Sequence, residues 1–268
     1  MRNLKDKTIV ITGAASGIGA ALARQLHAKG ATLALVDVDQ NGLEELAGEI
    51  SSQASIHVAD VGDRARMTSL PAEVIAVHGH VDVLINNAGV TVGAMFADHS
   101  IDDAEWLLQI NLMGVIYGCK FFLPHLLDRP EAHIVNVSSI FGLFSMPGQA
   151  IYSASKAGVR AFTEALWTEL AETSVRLTTA HPGAIKTNVI RSSRMSDEAA
   201  RARAVELQER FAMPVERAAA KIIRAVERDA RRVLIGADAH LGAFLKSLFP
   251  VALQRAMTLG FRLSGSRD

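Results

Sequence analysis

The chain has 268 residues, 49% of them hydrophobic, with 28 basic and 28 acidic side chains and no formal net charge. The length suits one large α/β domain, the apolar content is ample for a buried core, and the balanced charge gives no support to nucleic-acid binding as the main role. One cysteine, Cys119, excludes an internal disulfide and a cysteine metal cluster, which fits a reducing compartment.

The first residues, Met1 to Lys7, are polar and lack the apolar centre of a signal peptide. No run of about 18 uncharged apolar residues is found, so no membrane-spanning helix is expected and the cytoplasm is the expected location. Thr8 to Ile11 reads as a buried strand, Ile18 to Lys29 as a helix stopped by Gly30, and Ala31 to Val36 as a second strand. The unit repeats: helix over Leu43 to Ile50, strand over Ile56 to Ala59, helix over Arg64 to Val77, strand over Val81 to Ile85. A long helix is predicted from Ile101 to Leu127, opened by Ser100-Ile101-Asp102-Asp103, a stretch similar to a capping box. Strands follow at His133 to Val137, Arg176 to Ala180 and Val233 to Ile235, with a helix over Gln149 to Glu172.

Continuous apolar strands alternating with helices predict a single doubly wound α/β domain over 1–268, with a mostly parallel seven-stranded sheet covered by helices on both faces. Within it, 1–187 reads as the core for cofactor and catalysis. Residues 188–213 are polar and charge-dense, helical over Asp197 to Phe211, and follow a strand end, where ligands bind in open α/β sheets. A mobile substrate lid is favoured there over a plain solvated helix. Residues 238–268 form an amphipathic helical extension. Leu241, Phe244, Leu245, Leu248 and Phe249, then Leu253, Met257 and Phe261, keep helical spacing, with Lys246, Arg255 and Arg262 as charges. An ordinary core helix is the expectation; peripheral membrane contact through 240–263 is the alternative.

Thr12-Gly13-Ala14-Ala15-Ser16-Gly17-Ile18-Gly19 joins the first strand to the first helix. Glycines there allow a tight turn, close approach of a pyrophosphate, and close helix–strand packing; the helix N-terminus supplies N–H groups and partial positive charge. Asp37 ends the second strand, where a carboxylate accepts hydrogen bonds from the adenosine ribose of NAD and repels the 2′-phosphate of NADP. No arginine or lysine lies between Thr12 and Gly19 or beside Asp37, so NAD is favoured over NADP. Asp39 reads as a helix cap. Tyr152 and Lys156 stand four apart on one helix face, and a phenol beside an ammonium is made more acidic. The nine histidines are scattered and suggest no metal site.

These features together resemble the short-chain dehydrogenase/reductase family from about Lys7 to Ile235. Gly13-x-x-x-Gly17-x-Gly19 is similar to the family's glycine turn. Asp60-Val61 resembles the pair that holds the adenine ring, and Asn86-Asn87-Ala88-Gly89 the segment that supports the sheet and lines the cofactor cleft. Pro182-Gly183-Ala184-Ile185-Lys186-Thr187 resembles the segment whose Ile185 and Thr187 contact the nicotinamide carboxamide. The family spacing selects Ser139, 13 residues before Tyr152, over Ser138. The resemblance implies a Rossmann-type fold and catalysis by Asn111, Ser139, Tyr152 and Lys156. Tyr152 is the implied general acid/base, drawn toward working pH by Lys156 and the cofactor's positive charge. Ser139 is implied to hold the substrate oxygen, Lys156 the nicotinamide ribose, and Asn111 a proton-relaying water. It further implies a homo-oligomer, dimer or tetramer.

The expected substrate wall carries Ser139, Ile140, Phe141, Phe144, Met146, Val92, Met95 and Phe96, an apolar set that suggests a lipophilic secondary alcohol or its ketone. Arg191 and Arg194 raise the alternative of an anionic acyl thioester or hydroxy acid reduced with NADPH. A membrane-associated form of the enzyme and a non-catalytic NAD-binding regulator also remain open at this point.

Overall fold

The computed structural model describes residues 1–50, 54–187, 193–194, 202, 206 and 212–263, with side chains through 260. Seven strands run through it: β1 (Thr8–Thr12), β2 (Thr32–Asp37), β3 (Ala54–Val58), β4 (Val83–Asn86), β5 (Ala132–Val137), β6 (Val175–Pro182) and β7 (Arg232–Ile235). They form one sheet in the order β3-β2-β1-β4-β5-β6-β7. Each neighbouring pair is parallel. The strand order reverses between β1 and β4, and a crevice opens beyond the C-terminal strand ends at such a switch point.

Side-chain alternation along the strands builds two cores, one on each face. Ile9, Ile11, Leu33 and Leu35 pack with helices α1 (Gly17–Ala28), α2 (Gln40–Ile50) and α7 (Val215–Glu227). Val10, Ala34, Val36 and Leu84 pack on the other face with α3 (Arg64–His78), α5 (Gly114–Leu127) and α6 (Ala150–Glu169). Fully buried side chains such as Phe122 and Leu22 each contribute about 2 kcal/mol by leaving water. The expected seven-stranded sheet covered on both faces therefore holds, and it is wholly parallel among the described residues.

Four findings amend the sequence reading. Helix α7 was not anticipated, although Val215, Ala218, Ala219, Ile222, Ile223 and Val226 have helical spacing; all but Val215 are buried. The long helix from Ile101 to Leu127 is interrupted: α4 (Ile101–Leu108) and α5 are joined by a π turn over Gln109–Met113. Ser100 caps its start by accepting from Asp103 N at 3.0 Å. That 27-residue run is not free of charge, but it is long and apolar enough by length and composition to cross a membrane; here its buried residues Val115, Cys119, Phe122 and Leu126 pack on the sheet and α3.

The fourth concerns the C-terminal extension, which forms α8 (Ala237–Leu248) and α9 (Pro250–Leu263). The expectation of a core helix is corrected. Leu241, Phe244, Leu248 and Phe249 are 55–60% exposed, and in α8 only Ala239 and Gly242 are buried. Periodicity marks an apolar face but does not say which way it points. The expected lid, 188–213 with its helix over Asp197 to Phe211, lies outside the described residues except at the positions given above. Two bridges tie its ends to the body, Val92 to Arg194 and Ile185 to Met213.

Candidate active site

The crevice begins at the turn after β1. Gly13 has φ +66° and Gly17 φ +54°, the left-handed region that glycine adopts without steric cost. A Cβ at Gly13 would lie 2.8 Å from Ala88 Cα, and one at Gly19 would overlap the Gly13 carbonyl oxygen. Both positions therefore require glycine for close packing. Thr12 Oγ1 anchors the opposite side, accepting from Asn87 N at 3.0 Å and Ala88 N at 3.1 Å. Asn87 Nδ2 donates to Thr12 O at 2.9 Å and Gly13 O at 3.1 Å. Thr12 was missed as a site residue; its signal was a hydroxyl closing an apolar strand.

Ser16 begins α1 without a side-chain cap. The N-terminal end of α1, with Ser16, Gly17, Ile18 and Gly19, thus keeps backbone donors suited to phosphate, while the Ala15 N–H beside it is taken by Asp37. Asp37 ends β2 beside this turn. Its Oδ2 accepts from Ala15 N at 3.0 Å and its Oδ1 from Val38 N at 2.8 Å and Asp39 N at 3.1 Å. Asp39 accepts from Gly42 N at 3.1 Å and caps α2. Asp60 Oδ1 takes Gly62 N at 2.8 Å, while Val61 is buried under Gly114. On the far wall, Thr187 Cγ2 would lie 3.3 Å from a Cβ placed on Gly17. Pro182 ends β6, Gly183 N donates to Ile235 O at 2.8 Å, and Ile185 is buried in its bridge with Met213. Asp238 of α8, also missed, accepts from Ala184 N at 2.7 Å and sets that segment's path.

These groups make a concave backbone cradle with a carboxylate at one end. A dinucleotide fits it on the chemistry of its donors and on the close approach that the glycines permit. Gly13, Ser16, Gly17, Ile18 and Gly19 would hold its phosphates, Asp37 a ribose, and Ile185 and Thr187 the opposite end.

The chemical centre lies where β5 meets α6. Ser138 and Ser139 end up with different surroundings. The Ser138 hydroxyl is buried and donates to Lys156 O at 2.7 Å, tying strand to helix. Ser139 Oγ accepts from Phe141 N at 3.1 Å and lies near enough to the Tyr152 phenol to favour its ionised form. Lys156 is buried; its Nζ donates to Val137 O at 3.0 Å and lies 5.9 Å from the Tyr152 ring centroid. Among the described residues it has no carboxylate partner.

In the chain alone, burial dominates the electrostatics of this pair. Burial pushes the Tyr152 phenol above its ordinary value, and the neighbouring Ser139 hydroxyl opposes this only in part. Burial also draws the Lys156 ammonium down to about 8. Sequence spacing supplied the charge but not the desolvation, which works against both ions.

Asn111 sits in the π turn, buried. Its Oδ1 accepts from Val90 N at 2.8 Å, and its Nδ2 donates to Val90 O at 2.9 Å and Ser155 Oγ at 3.3 Å. Ser155, which sequence reasoning missed, donates in turn to Tyr152 O at 2.7 Å. A Cβ on Gly89 would meet Lys156 Nζ at 3.2 Å and Asn111 Oδ1 at 3.3 Å, so all three converge on one spot. A π turn shifts the side chains after it and is frequent at functional sites.

The expected substrate wall is only partly assembled. Phe141 stands edge-on to Tyr152 at 6.1 Å between ring centroids. Met95, Phe96 and Met146 are exposed at the mouth, at 46%, 67% and 43%. Val92 is buried in its bridge with Arg194. Ile140 and Phe144 also reach back to Gly242 of α8, so they join the wall to the C-terminal extension. Arg194 donates to Asp103 at 2.8 Å and lies over the Trp106 ring at 3.8 Å, so its charge is engaged on α4; Arg191 lies outside the described residues.

Comparison with known proteins agrees with this geometry. A family model described as short chain dehydrogenase matches residues 7–198. A putative oxidoreductase, SadH, of Mycobacterium tuberculosis is 38% identical over 267 residues, covering 97% of each chain. The dehydrogenase/reductase SDR family member 7B of Mus musculus is 37% identical over 193 residues, 69% of this chain and 60% of that protein. Among solved structures, a Burkholderia phymatum short-chain dehydrogenase/reductase in complex with NAD superposes with a TM-score of 0.86 at 28% identity, covering 95% of this chain and 97% of that one. A short-chain dehydrogenase of Streptomyces avermitilis gives 0.80 at 28% identity, with 98% and 99% covered. The chain belongs to the short-chain dehydrogenase/reductase family.

Proposed function

We propose that this protein is an NAD-dependent oxidoreductase that interconverts a lipophilic secondary alcohol and its ketone. The convergence of the Tyr152 hydroxyl, Ser139 Oγ and Lys156 Nζ beside the glycine cradle carries the reading. When bound, the nicotinamide supplies a hydride acceptor or donor. Ser139 orients the substrate oxygen by a hydrogen bond. Tyr152 moves a proton at that same oxygen, giving it to a carbonyl or taking it from a hydroxyl. Its raised phenol is protonated at neutral pH and suits the reductive direction; Lys156 supplies positive charge that supports the phenolate in the oxidative one. Asn111 and Ser155 hold the Tyr152 backbone and Val90 in register.

Asp37 supports NAD over NADP, because a carboxylate there opposes a 2′-phosphate and no cation stands in the turn beside it. The apolar mouth formed by Met95, Phe96, Phe141 and Met146 supports a lipophilic substrate. The engagement of Arg194 with Asp103 and Trp106 weakens the anionic-substrate alternative. A panel of secondary alcohols with NAD⁺ and NADP⁺, read by absorbance of the reduced cofactor, tests the reading. Turnover of steroid-like, fatty or aromatic alcohols with NAD⁺ is expected; a large preference for NADP⁺ or for acyl thioesters overturns it.

A further inference from the structure

Helices α8 and α9 have two unlike faces. The inner face is fixed to the wall of the active site. Gly242 lies against Ile140 and Phe144, Gln254 Nε2 donates to Ser145 O at 3.2 Å, and Asp238 holds Ala184. The outer face carries large apolar side chains that no described residue covers. Leu241, Phe244 and Leu248 line up on α8 at i, i+3 and i+7, with Phe249 following; all are exposed. On α9, Val251 and Leu259 are exposed with Arg255 between them at four-residue spacing.

This apolar surface continues to the mouth of the crevice. Ser145, held by Gln254, precedes exposed Met146, and Ala94 N donates to Gly148 O at 3.3 Å beside exposed Met95 and Phe96. Between Asp238 at its start and Asp268 at its end, the charge on the extension has one sign. From Ala239 to Arg267 the sequence has no aspartate or glutamate, while it has Lys246, Arg255, Arg262 and Arg267.

We propose that the outer face of α8 and α9 docks on an anionic lipid bilayer, with the mouth of the crevice at the membrane surface. Exposed apolar side chains flanked by cations fit the boundary between anionic headgroups and acyl chains. A second copy of the chain fits less well, because a two-fold contact sets the same patch against itself and brings like charges together. The docking itself is independent of the reaction. Its consequence, that a lipophilic substrate enters from the bilayer, rests on the function proposed above.

Flotation of the full chain with phosphatidylcholine vesicles, with and without phosphatidylglycerol, tests this at 0.1 M and 0.5 M salt. The expected result is binding to the phosphatidylglycerol vesicles that drops at least tenfold on pure phosphatidylcholine and several-fold at the higher salt. The double variant F244D/L248D, with a circular dichroism spectrum matching that of the parent, should lose binding at least tenfold; the milder R255E should lose it several-fold. No binding to phosphatidylglycerol vesicles, or binding unchanged in both variants, overturns the proposal. A stable dimer in sedimentation that F244D/L248D converts to monomer, without vesicle binding, also overturns it and gives the face to a second copy. Flotation reads docking without turnover, so failure of the oxidoreductase reading and failure of docking are separate results.

Discussion

The two ends of the parallel sheet treat a buried charge in opposite ways. At the N-terminal strand edge, Asp82 is 1% exposed and fully answered. It accepts from Arg129 Nε at 2.9 Å and Thr8 N at 3.0 Å, with His80 Nε2 at 3.2 Å and Lys7 Nζ at 3.9 Å. At the C-terminal edge, Lys156 is similarly buried but, among the described residues, has only a backbone carbonyl, and its ammonium is held down at about 8. A charge buried and compensated by the protein is a structural joint. A charge buried and left open is costly, and its cost is tolerated where chemistry needs it.

The largest expected effect breaks this comparison at the open end. Tyr152→Phe should lower turnover about a thousandfold while leaving the thermal unfolding midpoint and cofactor titration near the parent's. Retained turnover would remove Tyr152 from the reaction.

Lys156→Met and Asp82→Asn should move in opposite directions. The first should cut turnover about a hundredfold yet raise stability at pH 7 by up to about 3 kcal/mol, since a shift from 10.5 to about 8 penalises the charged form by roughly 1.4 kcal/mol per pKa unit. That penalty is present below pH 8 and vanishes as pH rises to 10.5, because the unfolded chain binds the extra proton within that window. Asp82→Asn should cost roughly 2 to 3 kcal/mol, leaving the partly exposed cations Lys7 and Arg129 short of a partner, with turnover per folded molecule unchanged. Denaturant titrations of both variants, beside their rates, give the answer; the same sign for both stability changes would abolish the contrast.

A second pH window sharpens it. His133 and His181 are buried and held at about 4 by desolvation. Between pH 6.5 and 4 the unfolded chain takes up protons that the fold refuses, so stability falls as pH falls, by up to roughly 3 kcal/mol for each histidine. Urea titrations across pH 4 to 7 should show that slope, and His133→Asn should flatten it. The smallest expected effect lies at Asp37. Asp37→Asn keeps an acceptor for Ala15 N but removes the charge, and should narrow the NAD⁺ to NADP⁺ preference about tenfold in kcat/KM.

Much of this fold was legible because a buried parallel strand leaves a continuous apolar run, as in Ile9-Val10-Ile11 or Leu33-Ala34-Leu35-Val36. The cradle was legible for a different reason: only glycine permits the contacts of Gly13 and Gly19. Three things were hidden. The π turn at Asn111 leaves no trace in hydrophobic spacing, because one extra residue in a turn is within the tolerance of the pattern. The direction of the α8 apolar face was hidden because periodicity is blind to what lies on either side. The desolvation of Tyr152 and Lys156 was hidden because spacing gives the distance between charges, whereas burial, a property of the whole fold, decides how far water stabilises them.

The most direct measurement is a crystal structure with nicotinamide cofactor and an alcohol bound. The account predicts the Tyr152 hydroxyl and Ser139 Oγ both within roughly 2.6–3.2 Å of the alcohol oxygen, with Lys156 Nζ turned to the ribose. Tyr152 directed away from the reacting carbon, or a crevice closed by the protein's own side chains, would contradict it.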